Sequence, residues 1–246
     1  RQLQKVVRRF LCQRSARGRS VLVTMDGKTL RGSFTAERGR AVQLLAAYVP
    51  KEGVVLMQVA VAKGENELSA APRLLRSLDL RGKVVVADAL FTQRELSVQI
   101  VEAAGDYIWL AKDNQSHVQE AIAQLFVPPT RSPGWGIPPD DFQTATAQNK
   151  GHGRLEERVL TSSELLNNYL DWPHLAQVFK LERRCTQLKD GTQHTEVIYG
   201  LTSLKRQKAS AARLLSCVRG YWGIENGLFY RRDTTLHEDA IRMTHS

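Results

Sequence analysis

Three carboxylates stand where the surrounding sequence is apolar. Asp26 ends the run VLVTMD (21–26), Asp88 ends VVVAD (84–88), and Glu225 lies inside ARLLSCVRGYWGIENGLFY (212–230). A carboxylate removed from water without a partner is strongly disfavoured, so it takes up a proton or meets a cation. Three converging on one point repel each other unless a hard divalent ion lies between them. Oxygen-only ligands select Mg²⁺ or Mn²⁺ over softer metals. A pair of such ions, ~4 Å apart, serves the attacking and leaving oxygens of phosphoryl transfer along a nucleic-acid backbone. Asp26, Asp88 and Glu225 are therefore the candidate metal ligands and catalytic residues. Glu225 alone reads as an ion-pair partner of Arg231 or Arg232, the usual role of such a group; the three acids together favour the shared cation. No protein nucleophile is required. Tyr221 reads as an amphipathic packing residue and Ser33 as a turn residue.

The elements that must position these acids follow in a consistent order. Three strand-like runs, 21–26, 42–49 and 54–61, precede a helix over 67–78; Pro50-Lys51-Glu52-Gly53 joins the last two strands as a hairpin. Strand 84–90, helix 93–104 and strand 106–113 follow. VVVAD lacks alternation, as a strand covered on both faces should. The order implies an α/β fold with a mixed sheet and right-handed crossovers, in which Asp26 and Asp88 sit at the C-terminal ends of strands. Residues 116–205 change character: helix 117–126, a Pro/Gly-rich loop 128–141, then strand-like runs at 154–161, 176–185 and 196–203. This segment reads as a β-rich insertion. A helix over 209–230 returns the chain to the core, with Leu214, Val218, Trp222 and Phe229 in phase with Glu225, which places that acid on the buried stripe. Gly220, Gly223 and Gly227 recur along one face, as close helix–sheet packing would require. The division is a basic helix and linker over 1–20, a first core segment 21–115, the insertion 116–205 and a closing segment 206–246.

Charge points to a polyanionic partner. Residues 1–40 hold eleven Lys and Arg against two acids, net +9 of the chain's +10. Concentration of positive charge is the footprint of nucleic acid, the alternative being a solvated arm. Arg8, Arg9, Arg14, Arg17 and Arg19 are the candidate DNA contacts there, joined by Lys28, Arg31 and Lys112 just beyond strand ends near the acids. Cys12, Cys185 and Cys217 are odd in number and widely spaced, which disfavours a disulfide framework or zinc site and suits a reducing cytoplasm. No apolar run reaches the ~18 residues of a membrane span, and no membrane partner is expected. His152 beside Arg154 has no second His at zinc-ligand spacing.

These residues carry a resemblance. Asp26-Gly27-Lys28-Thr29-Leu30-Arg31-Gly32-Ser33, Asp88-Ala89 with Gln93, Lys112 with Asn114-Gln115, His152-Gly153-Arg154 with Glu156, Trp222-Gly223-Ile224-Glu225-Asn226, and Arg232-Asp233 with Glu238-Asp239 follow one another at familiar spacing over about residues 20–243. The pattern resembles the DDE transposases of bacterial insertion sequences, H-repeat-associated subgroup. Family members often have His where Phe229 stands and Gly where Asp113 stands. The resemblance implies a ribonuclease-H-like core with a β-rich insertion before the last catalytic helix. It implies two Mg²⁺ or Mn²⁺ ions on Asp26, Asp88 and Glu225, cutting and joining of transposon ends, and Arg232 among the DNA contacts. Double-stranded DNA, as terminal inverted repeats and target, is the expected partner, with a homodimer on DNA. A nuclease of the same fold, or a domesticated DNA-binding remnant, is the alternative. Members usually continue beyond both ends of this chain, so the chain is expected to be cut from a longer protein.

Overall fold

The computed structural model describes residues 20–35, 39–127, 141–151, 153–238 and 240. The basic segment 1–19 with its helix, the loop 128–140 and His152 lie outside them. The chain divides into two compact units: one runs to Tyr107 and resumes at Arg219, the other is Ile108–Val218. The sequence breaks at 115/116 and 205/206 stand eight and thirteen residues from these points.

The first unit contains β1 (Val21–Thr35), β2 (Arg40–Val49), β3 (Val54–Ala60), α1 (Glu67–Arg76), β4 (Lys83–Ala87) and α2 (Arg94–Glu102), with strand order β3-β2-β1-β4. β1 pairs antiparallel with β2 (Asp26↔Ala46), β2 antiparallel with β3 (Ala46↔Gln58), and β1 parallel with β4 (Met25↔Ala87). Three antiparallel strands, then a parallel one entered through a crossover helix, form a mixed α/β core in the order that the ribonuclease-H-like expectation requires. Every residue of β4 is buried, which explains the unbroken apolar run Val84–Ala87. Gly53, at φ +67°, closes the β2–β3 hairpin by donating its N–H to the Val49 carbonyl at 2.9 Å. α1 opens on a reciprocal cap between Asn66 and Ser69 and buries Ala70, Ala71, Leu74 and Leu75. The Gln99 amide on α2 donates to the Pro72 carbonyl at 3.0 Å, tying α2 to α1.

Two boundaries differ from the sequence expectation. β1 does not end at Asp26: it continues to Thr35 because β2 accompanies it through Leu30↔Val42 and, past a register shift, to Thr35↔Arg40. Asp-Gly is a turn signal in isolation, and cross-strand pairing overrides it. β4 in turn stops at Ala87, and Ala89–Phe91 form a single 3₁₀ turn rather than more strand.

The second unit takes most of β5 (Asp106–Ala111), then α3 (Ser116–Leu125), β6 (Gln143–Gly151), β7 (Arg154–Ser163), β8 (Gln177–Gln187) and β9 (Gln193–Thr202). The strand order is β5-β9-β8-β7-β6, antiparallel throughout. β6 falls between the loop 128–141 and the strand-like run 154–161, where the sequence assigns no element. It pairs with β7 from Gln143↔Ser162 to Gly151↔Arg154, and its side chains are largely exposed. A polar edge strand buries no apolar stripe, so periodicity cannot announce it. α4 (Ala211–Tyr221) leads from this unit back into the first. Among the described residues no helix is long and apolar enough to cross a membrane.

Glu156, from the His-Gly-Arg block, anchors β7 to β8. Arg158 and Arg183 face each other across the strands, a like-charge pair that is unfavourable by itself. Glu156 ion-pairs with both, Arg183 at 2.7 Å, and with Arg154 at 3.2 Å. Burial pushes its carboxyl up, but hydrogen bonds and charge from Arg183 and Arg158 outweigh that and hold it below the usual carboxylate range. Glu156→Gln should therefore destabilise the protein, by about 3 kcal/mol as for other broken buried pairs. A depressed carboxyl contributes stability above its unfolded value and loses it in acid. The deficit should hence be present at pH 7 and shrink as pH falls below about 4.5, the ordinary value. Urea titrations at pH 7 and about pH 3 measure it; an equal deficit at each would show that the charge on Glu156 contributes nothing.

Candidate active site

Asp26 and Asp88 meet at a discontinuity in the sheet. On the β4 side, pairing with β1 ends at Met25↔Ala87, so the two acids are the next residues on adjacent parallel strands. Beyond that point β1 continues with β2 alone, while the β4 chain turns away through the 3₁₀ turn. Strands in register lie ~5 Å apart, so both carboxylates emerge at one place. The Gly27 N–H donates to Asp26 Oδ1 at 2.8 Å and fixes that carboxylate's orientation.

Glu225 arrives from the closing segment, but not as a continuation of one α-helix. α4 ends at Tyr221, Ile224–Phe229 form a wider π turn, and α5 spans Tyr230–Thr234. The glycines let this segment lie close to the sheet. A Cβ on Gly220 would come 2.3 Å from Leu22 Cδ2, on Gly223 2.8 Å from Pro50 Cβ, and on Gly227 3.1 Å from the Tyr48 hydroxyl. The expectation that Glu225 occupies the buried stripe is corrected here. Ile224 is fully buried and Glu225 is exposed. The π turn adds backbone per turn, and extrapolation at 3.6 residues per turn loses phase across it.

The mutual repulsion of the acids marks them as neighbours. Asp26 is pushed up to about 7, first by burial and then by the like charges of Glu67, Glu225 and Asp88, against the lowering effect of the Gly27 hydrogen bond. Glu67, the first residue of α1, is raised by burial and by Asp88. The Tyr221 phenol is raised by burial and by Asp26, Asp88, Glu225 and Glu67. One locality thus collects the three expected acids, a fourth, and a tyrosine. Glu67 went unread in the sequence because a Glu in the first turn of a helix is an ordinary partner of the helix dipole.

The donor chemistry suits a hard divalent cation: every candidate ligand is a carboxylate, and Asp26 without a cation holds its proton at near-neutral pH. Their placement is not that of a closed shell. As they stand, no group of three His, Cys, Asp or Glu among the described residues could hold a metal ion.

Four of the nine expected DNA contacts fall among the described residues. Lys28 is buried, ion-paired with Asp233, and stands 5.6 Å from the centroid of the Phe229 ring. Phe229 thus offers the lysine an aromatic face. Arg31 is exposed on β1. Arg232 pairs with Glu238 and donates to Gln58 Oε1 at 3.2 Å, tying α5 to β3. Lys112 is exposed after β5 in the second unit. Arg8, Arg9, Arg14, Arg17 and Arg19 lie outside the described residues.

Comparison with known proteins agrees with the family read from the motifs. A family model described as "Transposase DDE domain" matches residues 17–244. YncI of Escherichia coli O157:H7 is 29% identical over 228 residues, 90% of this chain and 56% of that protein. In Escherichia coli strain K12, YbfL is 27% identical and the H repeat-associated protein YhhI 26% identical, each match covering 90% of this chain and 58% of the relative. The chain therefore spans little more than half the length of these relatives. A solved piggyBac transposase synaptic complex with hairpin DNA is a distant structural likeness, TM-score 0.42 at 9% identity, covering 85% of this chain and 39% of that one. With the family model spanning 228 of its 246 residues, the chain belongs to the Transposase DDE domain family, among relatives that include an H repeat-associated protein.

Proposed function

We propose that this chain carries the catalytic core of a transposase that cuts DNA at insertion-sequence ends and joins the ends to target DNA. Asp26, Asp88 and Glu225 hold Mg²⁺ or Mn²⁺ in this reading. The observation that supports it most is the emergence of Asp26 and Asp88 where β1 and β4 part, with the Glu225 charge acting on Asp26. Bound ions would supply activation of the attacking water or 3′-hydroxyl and neutralisation of the leaving oxygen. The protein's own groups do the positioning. Asp26 gives up its proton as the cation is taken, and the Gly27 N–H keeps its Oδ1 aimed. The buried Ile224 seats the π turn, and Glu225 beside it stays exposed to reach the site.

Double-stranded DNA is the partner in this reading, with two copies bridging two ends, in a reducing cytoplasm. Incubation with DNA carrying the element's terminal inverted repeats and Mn²⁺ tests it. Cleaved 3′ ends followed by joined products are expected. Cleavage without joining would instead favour the nuclease alternative, and no cleavage would overturn both.

The basic segment should supply much of the non-specific affinity. The logarithm of affinity should fall with the logarithm of salt at a slope near −0.9 per phosphate neutralised. Replacing Arg8, Arg9, Arg14, Arg17 and Arg19 together with Ala should flatten that slope by several units. An unchanged slope would make residues 1–19 a solvated arm.

A further inference from the structure

The sequence block around Asp26 contains a glycine whose backbone does not call for one. Gly27 lies inside β1, paired with Leu45, and is not among the residues with positive φ. Its requirement is spatial. A Cβ placed on Gly27 would lie 1.9 Å from Glu67 Oε1, 2.0 Å from Cδ and 2.5 Å from Oε2. The Glu67 carboxylate therefore occupies the space a side chain at position 27 would fill, directly beside Asp26.

Glu67 is held there. It begins α1 immediately after the Asn66–Ser69 cap, in which the Ser69 N–H donates to Asn66 Oδ1 at 2.8 Å, and the next turns bury Ala70, Ala71, Leu74 and Leu75. A helix so anchored delivers its first side chain to a fixed point. That point is unfavourable for an acid, because it is partly buried and Asp88 already places negative charge there. A free helix-dipole glutamate would turn into solvent; this one is half-buried against a glycine cleared for it.

We propose that Glu67 is a fourth carboxylate of the cation site, contributing to ion affinity from the start of α1, and that Gly27 is glycine in order to admit it. This rests on the reading of Asp26 and Asp88 as cation ligands. It adds to the expected triad an acid from the first turn of α1, and assigns Gly27 a specific role in the Asp-Gly-Lys block.

The test is Mn²⁺ binding measured by calorimetry on the whole chain, without DNA. Glu67→Gln should weaken Mn²⁺ about tenfold or more, as loss of groups supporting metal ligands generally does. Its metal-free melting temperature should be equal or higher, since one like charge is gone. Gly27→Ala should weaken Mn²⁺ similarly, because the new Cβ displaces the flexible end of Glu67 and not the strand. In the double variant the alanine should add little to the effect of the glutamine. Affinity in Glu67→Gln within twofold of wild type, alongside a large loss in Asp26→Asn, would overturn the role of Glu67 and leave the main site standing. Unchanged affinity in Asp26→Asn as well, or no Mn²⁺ binding by the wild type, would overturn both. A metal-free melting temperature lowered in Glu67→Gln with unchanged Mn²⁺ affinity would make Glu67 a helix-dipole residue only.

Discussion

Asp26→Asn and Asp88→Asn should each abolish divalent-metal-dependent DNA cleavage while leaving the protein folded. Each change keeps the shape of the side chain and removes one anionic ligand from a shared site. Losing groups that merely support metal ligands commonly costs 10–100-fold, so losing a ligand should cost about 100-fold or more. Single-turnover cleavage in Mn²⁺ measures the loss, and a wild-type rate in either variant would remove that residue from the reaction. Asp26 adds a pH signature. Its carboxyl titrates at about 7 in the folded protein against 3.8 ordinarily. Between those values the native state holds a proton that the unfolded chain has released. Metal-free stability should therefore fall as pH rises from about 4 to about 7. Asp26→Asn cannot titrate and should flatten that fall. Added Mn²⁺ competes with the proton, so its stabilising effect on the wild type should grow across the same interval. Melting temperatures with and without Mn²⁺ at pH 5 and pH 7.5 separate these outcomes.

Glu225→Gln should have a comparably large effect on catalysis and almost none on the metal-free fold. The sequence left open an ion pair with Arg231 or Arg232, and the structure argues against it. Arg232 is taken by Glu238 and Gln58, and among the described residues no ion pair reaches Glu225. The carboxylate is exposed, so glutamine costs no buried pair. It also removes one of the like charges acting on Asp26. The expected pattern is lost cleavage, lost Mn²⁺-induced stabilisation, and a metal-free melting temperature equal to or above wild type. A lower metal-free melting temperature with the Mn²⁺ effect intact would assign Glu225 to structure instead.

The sequence by itself determined the family and the order of the core elements along the chain, and it singled out the acids on which the proposed chemistry rests. Acids closing apolar runs are readable because burial of charge is rare and needs a cause. Val84–Ala87 is readable because a strand covered on both faces has no polar register. The Asp-Gly-Lys and Trp-Gly-Ile-Glu-Asn blocks carried the family through their residues alone. Tertiary structure decided what depended on pairing and contact. Only the registers show that Asp26 is mid-strand toward β2 yet terminal toward β4, since a strand's end is set by its partners. Only the π turn decides which side of the closing segment Glu225 takes, because one widened turn cancels the helical phase. Lys28 illustrates the same limit. A lysine two residues from the acids reads as a phosphate contact, and only the fold brings Asp233, 205 residues away, to meet it. Glu67 was invisible for a related reason: what distinguishes it from any first-turn glutamate is the empty position at Gly27, and that space exists only where β1 and α1 meet.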